Sequence, residues 1–102
     1  MPLWCIRRLA SSPEQVFDAA LDAAARLGFT VSLADRPAGH LFLSQEHGPR
    51  RTHRFTVSVT DSGLGATVLY VSWETHLSPW PRSDARAAAR LCRAIEGALA
   101  GL

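Results

Sequence analysis

Four histidines, two cysteines and eleven arginines are the side chains with which this 102-residue chain could do chemistry. Read as a strand meander, the chain brings His47, His53 and His76 to one end of a sheet and His40 to the other. His47 and His53 flank the turn "GPRR" and would face each other across it, where two imidazoles could hold zinc or copper. Strand parity weakens the trio. His76 points to the opposite face from His47 and His53, and neither Glu46 nor Glu74 secures a third ligand. No metal and no cofactor is assigned.

Cys5 and Cys92 each fall on an inward-facing position, and small secreted disulfide scaffolds carry far denser cysteine. Both are expected as reduced core residues. Cys5 is the one thiol that could act as a nucleophile, but a buried thiol without an activating partner is inert. No GxSxG, HExxH, CxxC or glycine-rich phosphate loop occurs. Glu14, Asp18 and Asp22 follow one exposed helix face and do not converge in a pocket. The chain is therefore not expected to be an enzyme.

Every basic residue is arginine, and the net charge is only +2. Arg50, Arg51 and Arg54 make a basic turn that could bind an anion. Arg82, Arg86, Arg90 and Arg93 recur at helical spacing near the C-terminus. No aromatic residues interleave with these arginines as stacking on single-stranded nucleic acid would require, so nucleic acid is not an expected partner. The acidic and basic helix stripes either face one another or are both solvated.

These residues need elements to position them. "LWCIRRLA" reads as a first strand. In "SSPEQVFDAALDAAARLGF", Ser12 is an N-cap, Pro13 suits the first helical position, and Gln15 completes a capping box. Val16, Phe17, Ala20, Leu21, Ala24 and Leu27 form the apolar stripe, and Gly28 ends the helix with Phe29 folding back as its apolar partner. Strands follow over Phe29–Ala34, His40–Glu46, His53–Thr60 and Ala66–Thr75, separated by short turns, which implies an antiparallel meander. After "SPWPRSD", Ser83 is expected to cap a last helix over Asp84–Leu99. At this length the chain is one α+β domain, 1–102, with order β-α-β-β-β-β-α and both helices on one face of the sheet.

Alternation then sorts the strand residues. Paired about the middle of each turn, the strands put Phe29, Val31, Leu33, Leu41, Leu43, Phe55, Val57, Val59, Leu69, Val71 and Trp73 on the covered face. The register expected sets Phe29, Val31 and Leu33 against Gln45, Leu43 and Leu41, those against Phe55, Val57 and Val59, and these in turn against Val71, Leu69 and Thr67. The uncovered face collects Phe42, Thr56, Ser58, Val68 and Tyr70 among small hydroxyl residues. It is flat, mildly apolar and poor in charge, as interaction surfaces are, although a solvated sheet face also favours threonine and tyrosine. Trp80, rigidly held between Pro79 and Pro81, either joins that surface or seals the core edge.

The segments "VFDAALDAAARLGFTV", "AGHLFLS" and "THRFTVSV", in this element order, resemble small bacterial domains of unknown function and the repeated module of the outer-membrane assembly lipoprotein C. The resemblance rests on pattern over most of the chain. The anchor cysteine and signal peptide of such a lipoprotein are not seen: "MPLWCIRRLA" lacks a basic start, and Arg7 and Arg8 break its apolar run. No run of about eighteen apolar residues occurs. A cytoplasmic protein with no membrane partner is expected. The leading expectation for function is a non-catalytic module that self-associates as a homodimer or binds a protein through Phe42, Thr56, Ser58, Val68, Tyr70 and Trp80. The alternative is a carrier of a small apolar molecule in a cavity between helices and sheet, where Gln45 interrupts an apolar lining.

Overall fold

The computed structural model describes residues 5–46, 52–73 and 81–101. Its elements are β1 (Cys5–Leu9), α1 (Pro13–Arg26), β2 (Thr30–Asp35), β3 (His40–Glu46), β4 (Thr52–Asp61), β5 (Thr67–Trp73) and α2 (Pro81–Ala100). The five strands form one antiparallel sheet in the order β1-β5-β4-β3-β2, so β1 closes the edge beside β5. Both helices lie on one face and pack against each other as well as the sheet. Trp80, Arg50 and Arg51 lie outside the described residues, as do His47 and His76.

Helix α1 begins as its sequence dictates. Ser12 Oγ accepts from the Gln15 amide, and Gln15 Oε1 accepts from the Ser12 amide, which satisfies two orphan donors. It ends in a Schellman turn. Gly28 takes φ 79°, its amide donates to Ala25, and the Phe29 amide donates to Ala24 at 2.9 Å. Val16, Phe17, Ala20, Ala23 and Ala24 are buried on the inner stripe.

In β4 the alternation is clean. His53, Phe55, Val57 and Val59 are buried, while the residues between them face the other side. With Leu41, Leu43, Leu69 and Val71 they form the floor of the core, and Leu91, Cys92 and Ile95 of α2 close it from above. Phe29 meets Phe55 edge-on, with ring centroids 5.8 Å apart.

Three details differ from the sequence reading. The β3–β4 and β4–β5 ladders run two residues out of the expected register, so Val57 faces Val71, Val59 faces Leu69, and Gln45 faces His53, whereas Val31 faces Leu43 as expected. A shift of two preserves every side chain's face, so the sorting into faces survives. Between β4 and β5 the cause is a tight loop, with Asp61 Oδ1 accepting the Gly63 amide and the Ser62 amide donating to Ala66.

Second, a bulge between Val31 and Leu33 sets Leu33 against Phe42 instead of Leu41. An extra residue in one strand reverses the facing of all that follow it. Leu33 therefore leaves the core side, and Val31 is also exposed on this outermost strand. Third, α2 starts at Pro81, whose fixed φ suits the first helical position, so Ser83 is inside the first turn and is not the cap.

The cysteines are also corrected. Cys5 points inward from β1 opposite Val71, and Cys92 sits on the buried face of α2; the two are joined as a disulfide with Cα atoms 6.7 Å apart. Sequence parity placed both inside, but not β1 beside β5 beneath α2.

Candidate functional site

His53 is drawn inward by the alternation of β4 and is 2% exposed. A buried imidazole needs partners for both ring nitrogens. It finds them on two adjacent residues of the first turn of α2. Nδ1 is bonded to Oδ1 of Asp84, itself only 6% exposed, and Nε2 lies 3.2 Å from Ser83 Oγ. A carboxylate only accepts, so in the neutral ring Nδ1 carries the proton and Nε2 accepts the Ser83 hydroxyl. The ring lies nearly parallel to Phe55, at 14° between planes. His53 is thus held between Ser83 and Asp84, and the metal reading of this residue loses its open ligand position. Among the described residues no group of three or more metal-ligating side chains converges.

A cavity of about 140 Å³ opens beside this pair, between the start of α2 and the end of the sheet. Leu27 and Phe29 give it apolar wall, and Gln45, His53 and Ser83 give it polar wall. Arg86 and Arg90, one turn apart on α2, also line it. Gln45 Nε2 donates to the Leu27 carbonyl at 2.6 Å, which ties β3 to the end of α1 and fixes this side of the cavity. Two arginines and hydrogen-bonding groups in one lining suit a small molecule with an acidic group.

The arginine stripe of α2 does not pair with the acidic stripe of α1. Asp18 pairs with Arg36 at 2.8 Å and Asp22 with Arg26 at 3.1 Å. Arg82, Arg86, Arg90 and Arg93 are all exposed, and among the described residues none has an acidic partner within salt-bridge distance.

The residues expected on the uncovered face do come together. Phe42 faces Thr56, and Ser58 faces Tyr70, with Val68 one step along β5. All five are half-buried. The face is larger than expected, because the bulge adds Leu33 beside Phe42 and β1 adds Ile6 beside Tyr70. These two are 55% and 48% exposed. Arg54 is exposed on the same face and shares a shallow hollow with Glu46 and Ser44.

The Ser83–His53–Asp84 cluster escaped sequence reasoning. By spacing alone His53 groups with the other histidines, and Ser83 has the residue type of a helix cap. The usable signal was the inward parity of His53, which demanded a buried polar partner.

The arrangement is a two-layer α+β domain with helices over one face of an antiparallel sheet and a cavity between the layers. No family model matches the chain, and no curated protein matches it. Solved structures share the fold. The crystal structure of Ara h 8.0201 is similar with a TM-score of 0.60 at 12% identity, covering 98% of both chains. The crystal structure of TTHA0849 from Thermus thermophilus is similar with a TM-score of 0.60 at 12% identity, covering 99% of this chain and 98% of that one. Identity this low shows the fold alone. The resemblance to the lipoprotein module gains no support from these comparisons. Among the described residues no helix is long and apolar enough to cross a membrane.

Proposed function

We propose that this protein binds a small organic acid in the cavity between α2 and the sheet. The observation that carries this reading is the cavity's lining: apolar wall from Leu27 and Phe29, hydrogen-bonding groups from His53 and Ser83, and cations from Arg86 and Arg90. At about 140 Å³ the space suits a group the size of a benzene ring. The apolar wall takes the body of the ligand, and the guanidinium forks take its carboxylate.

The test is calorimetric titration with a panel of short aliphatic and aromatic carboxylates, benzoate first. Saturable one-to-one binding is expected. Replacing Arg86 and Arg90 together by alanine should weaken it by about tenfold to a hundredfold, the worth of a charge-assisted hydrogen bond. No saturable binding across the panel, with no retained mass in native mass spectrometry, would overturn the reading.

A second reading, self-association through the uncovered face, rests on a separate observation. Two of the chain's exposed large apolar residues, Ile6 and Leu33, extend the Phe42–Val68–Tyr70 surface at its two edges. A second copy would bury this face against itself, as two-fold dimers do.

A further inference from the structure

We propose that Ser83, His53 and Asp84 form an acyl-transfer triad, and that the protein hydrolyses small esters in the cavity they line. The inference rests on the cavity being the ligand site, and adds a reaction there. Nucleophilic catalysis by serine requires a hydroxyl hydrogen-bonded to a base, and the base oriented by a third group. All three relations are present. Ser83 Oγ lies 3.2 Å from His53 Nε2, and His53 Nδ1 is bonded to Asp84 Oδ1. Asp84 is buried away from the cavity lining, whereas the half-buried Ser83 and the ring of His53 both line the cavity, so nucleophile and base face a substrate together.

The remaining requirements are met nearby. Arg86 follows Ser83 by three residues, on the same face of α2, and lines the same cavity. It supplies donors for the oxyanion of a tetrahedral intermediate. The amides of the helix's first turn have no acceptor within the helix and add positive potential at this end. No linear motif marks the set, because Ser83 and Asp84 are adjacent and His53 stands 30 residues before Ser83.

The step balances without a further reagent. Ser83 Oγ adds to the ester carbonyl carbon as its proton passes to His53 Nε2. The carbon–oxygen bond to the leaving alcohol breaks, and Nε2 returns the proton to that oxygen. Water then adds to the acyl-serine carbonyl carbon with its proton taken by Nε2; the carbon–Oγ bond breaks and Nε2 returns that proton to Oγ, releasing the acid and restoring Ser83. Ser83 and His53 are catalytic residues, and Asp84 is a positioning residue that holds the tautomer. The cavity has room for an acyl group about the size of a benzoyl.

Phenylmethanesulfonyl fluoride is the probe, because its benzyl group matches the cavity and it sulfonylates activated serines. The native full chain should gain one sulfonyl group, mapped to Ser83 by peptide mass spectrometry. Protein unfolded in urea should gain none. Ser83→Ala should remove the adduct and lower p-nitrophenyl acetate turnover by about a hundredfold or more. Asp84→Asn should lower kcat by a similar factor with KM held, which a merely structural role would not produce. Native protein that stays unlabelled at Ser83, or that labels equally when unfolded, overturns the triad. If that same protein binds benzoate with a Kd unchanged in Ser83→Ala, the carrier reading stands alone. Absence of both binding and labelling removes both readings.

Discussion

Asp84, in the first turn of α2, is bonded to the Nδ1 of His53 on β4, and both side chains are almost wholly excluded from water. This contact joins the helix layer to the sheet at the end of the molecule that carries the cavity. Ser83 reaches the other ring nitrogen, so a single imidazole fixes two successive helix residues. The start of α2 is therefore set by a polar contact, whereas Leu91, Cys92 and Ile95 further along are set by apolar packing.

Removing the carboxylate should show the contact's worth. Asp84→Ala leaves a buried ring N–H without its acceptor, which costs about 1–3 kcal/mol. The urea midpoint should fall accordingly. A midpoint equal to that of the parent protein would show that the buried pair does not hold in solution.

The Cys5–Cys92 bond closes a sequence separation of 87 residues and ties the edge strand β1 to α2. Cross-links that span so much chain restrict the unfolded ensemble, and they typically contribute about 2–4 kcal/mol. Reduction should lower the urea midpoint by that equivalent, and thiol titration of the unreduced, unfolded protein should find no free thiol. Two titratable thiols in the unreduced protein would refute the bond.

What the sequence revealed and what it hid divide along physical lines. Helix α1 was legible end to end, because Ser12, Gln15, Gly28 and Phe29 each act on neighbours within a few residues. The sorting of β3, β4 and β5 into two faces was legible because alternation is local and survives a shift of two. The bulge was not. "TVSLAD" contains no glycine or proline to mark it, and simple counting carried Leu33 into the core. The candidate site was hidden for a related reason. His53 and Asp84 meet only because α2 crosses the end of β4, and that crossing is a property of the assembled layers. Cys5 and Cys92 were both read as inward, yet their meeting depended on β1 lying beside β5.

The uncovered face makes a separate prediction. If a second copy covers it, Tyr70→Asp and Leu33→Asp should each convert a dimer to a monomer in sedimentation without lowering the melting temperature. Charge buried in an apolar contact is costly to desolvate, whereas on a solvated face it costs little. A parent protein that sediments as a monomer at high concentration excludes self-association through this face.

Gly39 offers the sharpest test of how the sheet is built. It ends the β2–β3 turn with φ 72°, and its carbonyl accepts the Val59 amide at 2.8 Å. A Cβ at this position would collide with the Val59 carbonyl, which is backbone and cannot rotate away. Gly63 has a similar φ of 77°, but a Cβ there would meet nothing within 4 Å. The two glycines separate backbone strain from collision. Gly63→Ala should cost only the left-handed penalty, about 1–2 kcal/mol. Gly39→Ala should cost that and the displacement of β3 from the end of β4 besides, so its loss should be clearly the larger. Denaturant midpoints of the two variants, measured side by side, decide it. Equal losses would mean that the close approach of Gly39 to Val59 is not a feature of the folded protein.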